Sequence, residues 1–127
     1  MPRAANWYPP DLTSNGVLTK AATDNNWSST DADEAEHWYD HFLQAAWNAD
    51  GKGKSINVIN KKADDLWHVH KDTHPDYEKY CNGCFGKPLN HVSVANPHTP
   101  SNAELAAVQS YYAANWPVPD SIVSCHS

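Results

Sequence analysis

The sequence of 127 residues is poor in glycine (five), phenylalanine (two) and methionine (one), and it holds three cysteines. So few glycines exclude a glycine-rich or collagen-like body, and a small, odd number of cysteines argues against a disulfide framework. No apolar run approaches the ~18–20 residues of a membrane span. The start, Met1-Pro2-Arg3-Ala4-Ala5-Asn6-Trp7, carries a positive charge without the apolar stretch of a signal peptide. Basic residues are scarce too: nine Lys and Arg stand against fifteen Asp and Glu, a formal charge of −6. The one basic cluster, Lys52, Lys54, Lys61 and Lys62, is flanked by Asp50 and by Asp64 and Asp65. Such a surface does not suit nucleic acid. The expectation is a cytoplasmic protein with reduced thiols, whose unknown partner is a protein or a small molecule, with no nucleic acid and no membrane.

What the chain does have is six Trp, six Tyr and eight His, with 40% hydrophobic and 19% charged residues. That balance and length predict one folded domain with a core of its own. The aromatic rings bring buried area together with N–H and O–H groups that need partners.

Residues 1–28, with Pro2, Pro9, Pro10, Asn15-Gly16 and Asn25-Asn26, predict an irregular arm, packed on the core through Trp7, Tyr8 and Trp27. From Thr30 to about Asn48 the sequence predicts a helix. Thr30 and Asp33 resemble a capping box, and Ala35, Trp38, Tyr39, Phe42, Leu43 and Ala46 repeat at helical spacing until Asp50-Gly51-Lys52-Gly53 ends it. A second helix is expected from about Asn57 to Lys71, with Ile59, Ala63, Leu66, Trp67 and His70 on one side. A third is expected after Thr73 as its cap, with Tyr77, Tyr80, Cys81 and Cys84 on one face, weakened at Asn82-Gly83 and stopped at Gly86. Ser101 and Glu104 open a fourth, carrying Leu105, Val108, Tyr112 and Trp116. The expected fold is therefore all-α: a bundle of about four helices over 29–116, with a packed arm at 1–28 and an extended tail at 117–127.

Chemistry concentrates between the second and third helices. His68 and His70 are two residues apart and so point about 200° apart on a helix. His70 falls on the apolar side, whereas His68 falls with Asp64 and Asp72, where a carboxylate can orient an imidazole or merely pair with it on the surface. Elsewhere, His37 and His41 stand i, i+4 on the face opposite Trp38 and Phe42, and are expected in solvent. Asp50-Gly51-Lys52-Gly53-Lys54-Ser55 lacks the spacing of a phosphate loop and is read as a turn.

The order Tyr39, Phe42, Leu43, then Asp64, Trp67, His68, His70, then Asp72, Thr73, Tyr77, Cys81, Phe85, Gly86, Leu89 and His91 resembles the glycine-rich domain-containing protein-like family. The resemblance covers roughly residues 27–91. Asn90 stands where that family often has a further His, and the glycine-rich segment that names it is missing. What the resemblance implies is a small helical domain with clustered His and Cys, without a settled activity.

Three readings of the cluster follow. In the first, Trp67, His70, Tyr77, Cys81 and His91 form a hydrogen-bonded polar core, and the domain is a non-catalytic interaction or regulatory module. In the second, Cys81, Cys84 and His91, with His68 or His70, ligate zinc or copper, flanked by Asp64, Trp67, Asp72 and Tyr77. In the third, the same His residues and Cys81 serve a small metal-dependent enzyme. The first leads, because no motif supplies a phosphate loop, an oxyanion hole or a substrate pocket.

Overall fold

The computed structural model describes residues 2–56, 60–73, 75–89, 99 and 101–112. Among these residues five helices follow one another: α1 Val17–Asn25, α2 Ser29–Asp50, α3 Lys61–Asp72, α4 Asp76–Cys84 and α5 Asn102–Gln109. There is no strand among the described residues, so the all-α class holds. None of these helices is long and apolar enough to cross a membrane.

Against expectation, the predicted irregular arm contains a helix, α1. Gly16 takes a left-handed turn (φ 77°) and opens α1, and Asn26 closes it in the left-handed region (φ 57°). Asn15 and Asn25-Asn26, read as loop residues, are thus the punctuation of a short helix. Its pattern is hard to see because only Val17 and Ala21 point fully inward. With Leu12 they join the core, and Trp7 and Trp27 pack against it half-buried, so the arm does sit on the bundle.

Helix α2 starts earlier than predicted. Its cap is Ser28, whose hydroxyl accepts from the Asp31 N–H while the Asp31 carboxylate accepts from the Ser28 N–H, so Thr30 lies inside the first turn. Ala35, Tyr39, Phe42, Leu43 and Ala46 are buried as expected, and Trp38 is half-buried against the same core. Helix α3 starts later than predicted, because Asn60 is extended and its side chain accepts from the Ala63 N–H. Ile59 lies outside the described residues. Thr73 does not cap α4 with its hydroxyl, which donates back to the Val69 carbonyl at 2.7 Å, and Pro75 stands at the cap. Helix α4 then runs through Asn82-Gly83 to Cys84, and Gly86 (φ 74°) turns the chain away. Helix α5 carries the expected Ser101–Glu104 capping box but ends at Gln109, so Tyr112, predicted on the same helix, lies beyond its end; Val108 and Tyr112 bury against Ala45 of α2. Trp116 and the tail at 117–127 lie outside the described residues.

Helix α3 is the central element: it packs on α1, α2 and α4. Lys62, at its start, bridges Asp31 (3.1 Å) and Glu34 (2.9 Å) of α2, and both links lie near the surface. The apolar face of α3 therefore lies over Phe42 and Tyr39, with Trp67 5.0 Å ring to ring from Phe42.

Candidate functional site

His70 shows no exposed surface, as its place on the apolar face of α3 predicts. Its Nδ1 lies 2.7 Å from the Tyr39 hydroxyl. The ring is edge-on to Tyr39 (5.7 Å) and Tyr77 (4.9 Å), and tilted against Tyr80 (5.9 Å). Burial pulls the imidazole down to a pKa of about 4, so it is neutral at pH 7. The tautomer follows from counting donors. A Tyr39 O–H that donates to Nδ1 leaves the imidazole proton on Nε2, and only that N–H lacks an acceptor. The reverse arrangement would strand both the phenolic hydrogen and the Nε2 lone pair. His70 therefore carries a buried Nε2–H with no hydrogen-bond partner among the described residues.

A second chain of hydrogen bonds runs beside it. The Trp67 indole N–H donates to the Tyr77 hydroxyl (3.0 Å), which donates to the Leu89 carbonyl (2.8 Å). Cys81 is fully buried on the next turn of α4. Burial pushes its thiol up, and the Leu89 backbone and the Tyr77 hydroxyl partly oppose that shift. Cys84, also fully buried, directs its S–H to the Tyr8 carbonyl at 3.8 Å. Its own carbonyl accepts from the Ala4 N–H (3.1 Å) and the Trp47 indole N–H (3.0 Å). Both thiols are free.

His68 lies apart from that network. Its Nδ1 is 3.9 Å from the Asp64 carboxylate, one turn earlier on α3. The surface pairing expected for this side of the helix needs correction, because the Asp64 side chain is only 3% exposed and that of His68 22%. Asp72, placed beside them by the helical wheel, is exposed. Donor atoms of Asp64, Asp65 and His68 all lie within 4.8 Å of one another. Asp65 is an addition to the residues that the sequence predicts for the site. Its i, i+3 relation to His68, beside the i, i+4 relation of Asp64, was the available signal. The carboxylate of Asp65 also meets the Lys61 ammonium at 2.7 Å. Of the residues named as ligands, the structure brings His68 to Asp64 and Asp65. It places His70 with the tyrosines, and it seats Cys81 and Cys84 against hydroxyl and carbonyl groups. None of these last three joins the group around His68. His91 lies outside the described residues.

His37 and His41 stack edge-on at 4.7 Å along α2. His37 is exposed as expected, whereas His41 is half-buried, and burial, helped by His37, pulls its pKa down to about 4. On the same helix, Asp40 is pushed up to about 7 by burial and by Glu36.

A cavity of about 770 Å³ opens between the N-terminal segment and α4. Tyr8, Pro9 and Pro10 line it from the N-terminal segment, Tyr80 and Gly83 from α4, and His70 from α3. Nothing in the spacing of His and Cys pointed there. The signals were the rigid Pro9-Pro10 pair after an aromatic residue and a glycine inside a helix. A Cβ on Gly83 would fall 2.5 Å from the Tyr8 hydroxyl oxygen, so Gly83 is what lets Tyr8 lie across α4.

Comparison with known proteins gives no match to any family model, curated protein or solved structure.

Proposed function

We propose that the chain is a non-catalytic binding module in which the His/Tyr/Cys cluster holds the helices in register. The observation that carries this reading is Cys81, the nucleophile that the enzyme reading requires. It has no exposed surface, its thiol is pushed up by burial, and its neighbours are Tyr77 and the Leu89 backbone. A reactive cysteine has the opposite surroundings, electropositive and accessible. His70 is equally unsuited to act as a base, since Tyr39 occupies its Nδ1. Membership of the glycine-rich domain-containing protein-like family belongs to the same proposal. Its support is that Tyr39, Phe42, Leu43, Trp67, His70, Tyr77, Cys81 and Phe85, which carry the resemblance, are all buried here. A cytoplasmic setting is proposed on the two free thiols.

The test is native-state alkylation of a Cys125→Ser variant with iodoacetamide. Cys81 and Cys84 should label only as fast as the domain opens. Stoichiometric labelling of Cys81 within minutes under native conditions would overturn the proposal.

A second reading has its own observation, the convergence of Asp64, Asp65 and His68 within 4.8 Å. Two carboxylates and one imidazole suit a divalent cation such as zinc better than they suit copper(I), which prefers sulfur. Lys61 competes for Asp65, so the site would be weak until that ion pair breaks. Metal analysis of protein purified without a nickel column decides it: near-stoichiometric zinc, lost in His68→Ala, supports the site, and a metal-free protein rejects it.

A further inference from the structure

The cavity beside α4 combines three features found together nowhere else among the described residues. It is large enough for a small molecule, since about 770 Å³ falls within the usual range of ligand pockets. Its walls offer rigid surfaces: Pro9, Pro10 and Tyr80 all line it, and Tyr8 meets Tyr80 edge-on at 5.6 Å. Beneath them lies a fully buried donor without an acceptor, the Nε2–H of His70. His70 lines the cavity, whereas Tyr39, which covers the Nδ1 side of its ring, does not.

A buried N–H left unsatisfied is costly, and natural proteins keep few of them. From these observations we infer that the cavity is a binding site for a neutral aromatic compound carrying one oxygen acceptor, such as an aromatic amide or ketone. The ring would lie between the prolines and Tyr80, with its oxygen turned down toward His70. Neutrality follows from the charges around the wall, where Asp11 and Asp76 outnumber Lys79 and an added carboxylate would meet net negative charge. His70 cannot supply a compensating positive charge, being neutral.

Access depends on Tyr8. Its side chain is the one exposed large hydrophobic group among the described residues, at 43%. Because His70 has no exposed surface, the oxygen reaches Nε2 only when the cavity wall moves, and we assign that movement to Tyr8, the exposed member of the wall, which leans edge-on against Tyr80.

This inference rests on the reading of the domain as a binding module and names its ligand. The test is an NMR titration of the full chain, following the His70 ring nitrogens, with benzamide, benzoate and toluene as probes. Benzamide is expected to shift the His70 Nε2 signal and to bind about tenfold more tightly than toluene or benzoate. Ser14→Trp, which fills the mouth from an exposed position, should abolish the shift while leaving the spectrum of the core unchanged. Tyr8→Ala should keep binding and speed exchange. The inference is overturned if no probe moves the His70 signal up to its solubility limit, or if toluene matches benzamide. Either outcome would leave the alkylation rate of Cys81 untouched, so failure of the ligand assignment is distinct from failure of the module itself.

Discussion

Tyr39 of α2 and His70 of α3, 31 residues apart in sequence, share a 2.7 Å hydrogen bond at a place where neither has exposed surface. The bond joins the two most extensively packed helices through their polar atoms. Removing one side of it should therefore cost more than removing a surface pair. Tyr39→Phe keeps the ring and strands Nδ1, for an expected loss of about 1–3 kcal/mol. His70→Ala adds a cavity, for roughly 2–5 kcal/mol. Urea midpoints of both variants, with their double mutant, measure the coupling. Additive losses would mean that the bond contributes nothing beyond packing.

The same burial sets a pH dependence. The folded pKa of His70, about 4, lies below its unfolded value near 6.5, so the unfolded chain binds the proton more readily. Stability from this group is complete above about pH 6.5 and falls as the pH drops toward 4, by up to roughly 3 kcal/mol. His41 acts in the same direction. Asp40 acts oppositely: its folded pKa, about 7, lies above the usual carboxylate value, so its contribution is present below about pH 4 and lost as pH rises through 7. Asp40→Asn should thus raise stability at pH 8 and steepen the loss between pH 6.5 and 4. Chemical denaturation across that range checks both signs, and a flat difference between variant and parent would refute the placement of Asp40.

Trp67, 3% exposed, should be among the costliest positions, with Trp67→Ala losing about 3–5 kcal/mol. Trp67→Phe separates volume from polarity, because it also removes the N–H that donates to the Tyr77 hydroxyl. If the hydrogen bond matters, Trp67→Phe should cost less in a Tyr77→Phe background than in the parent. Equal costs in both backgrounds would reduce Trp67 to an apolar filler.

Much of the bundle was legible because its signals are local. Helix α2 repeats its apolar residues over several turns, and α5 announces itself with Ser101 and Glu104. The apolar side of α3 also placed His70 correctly, since a helical wheel needs no tertiary knowledge to separate His70 from His68. Long-range relations left no such trace. Whether Asp64 is a surface carboxylate depends on what packs over it, and the wheel put it in solvent where the fold buries it. Helix α1 was missed because asparagine and glycine, which punctuate a helix this short, also spell a loop. The cavity depends on Tyr8 crossing α4 at Gly83, a meeting of residues 75 positions apart that no spacing rule encodes.

That crossing can be tested by itself. Gly83 sits inside α4, where alanine is favoured by about 1 kcal/mol in helix propensity. A Cβ there would stand 2.5 Å from the Tyr8 hydroxyl oxygen, the free end of a flexible side chain. Gly83→Ala should therefore displace Tyr8 at small cost and leave stability within about 1 kcal/mol of the parent. Combined with Tyr8→Ala, where nothing remains to clash, it should become stabilising relative to Tyr8→Ala alone. Thermal melts of the single and double variants decide, and destabilisation persisting in the double variant would show that the helix, not Tyr8, requires glycine.

The N-terminal segment is anchored at its other end by Arg3. Its guanidinium donates to the Trp47 carbonyl at 2.8 Å, meets the Asp50 carboxylate at 3.2 Å and lies 3.8 Å over the Trp47 ring. Trp47 in turn donates its indole N–H to the Cys84 carbonyl, which also receives the Ala4 N–H, so the segment ties the end of α2 to the end of α4. A planar group that donates, pairs and stacks at once is not replaced by an ammonium. Arg3→Lys and Arg3→Ala should both loosen this corner, each costing about 1–2 kcal/mol, with lysine recovering less than half of the loss. Because the carbonyl of Cys84 loses its neighbours when the corner opens, amide exchange at Ala4 should accelerate in both variants while exchange within α3 does not. If lysine restores full protection at Ala4, charge alone holds the corner, and the stacking over Trp47 contributes nothing.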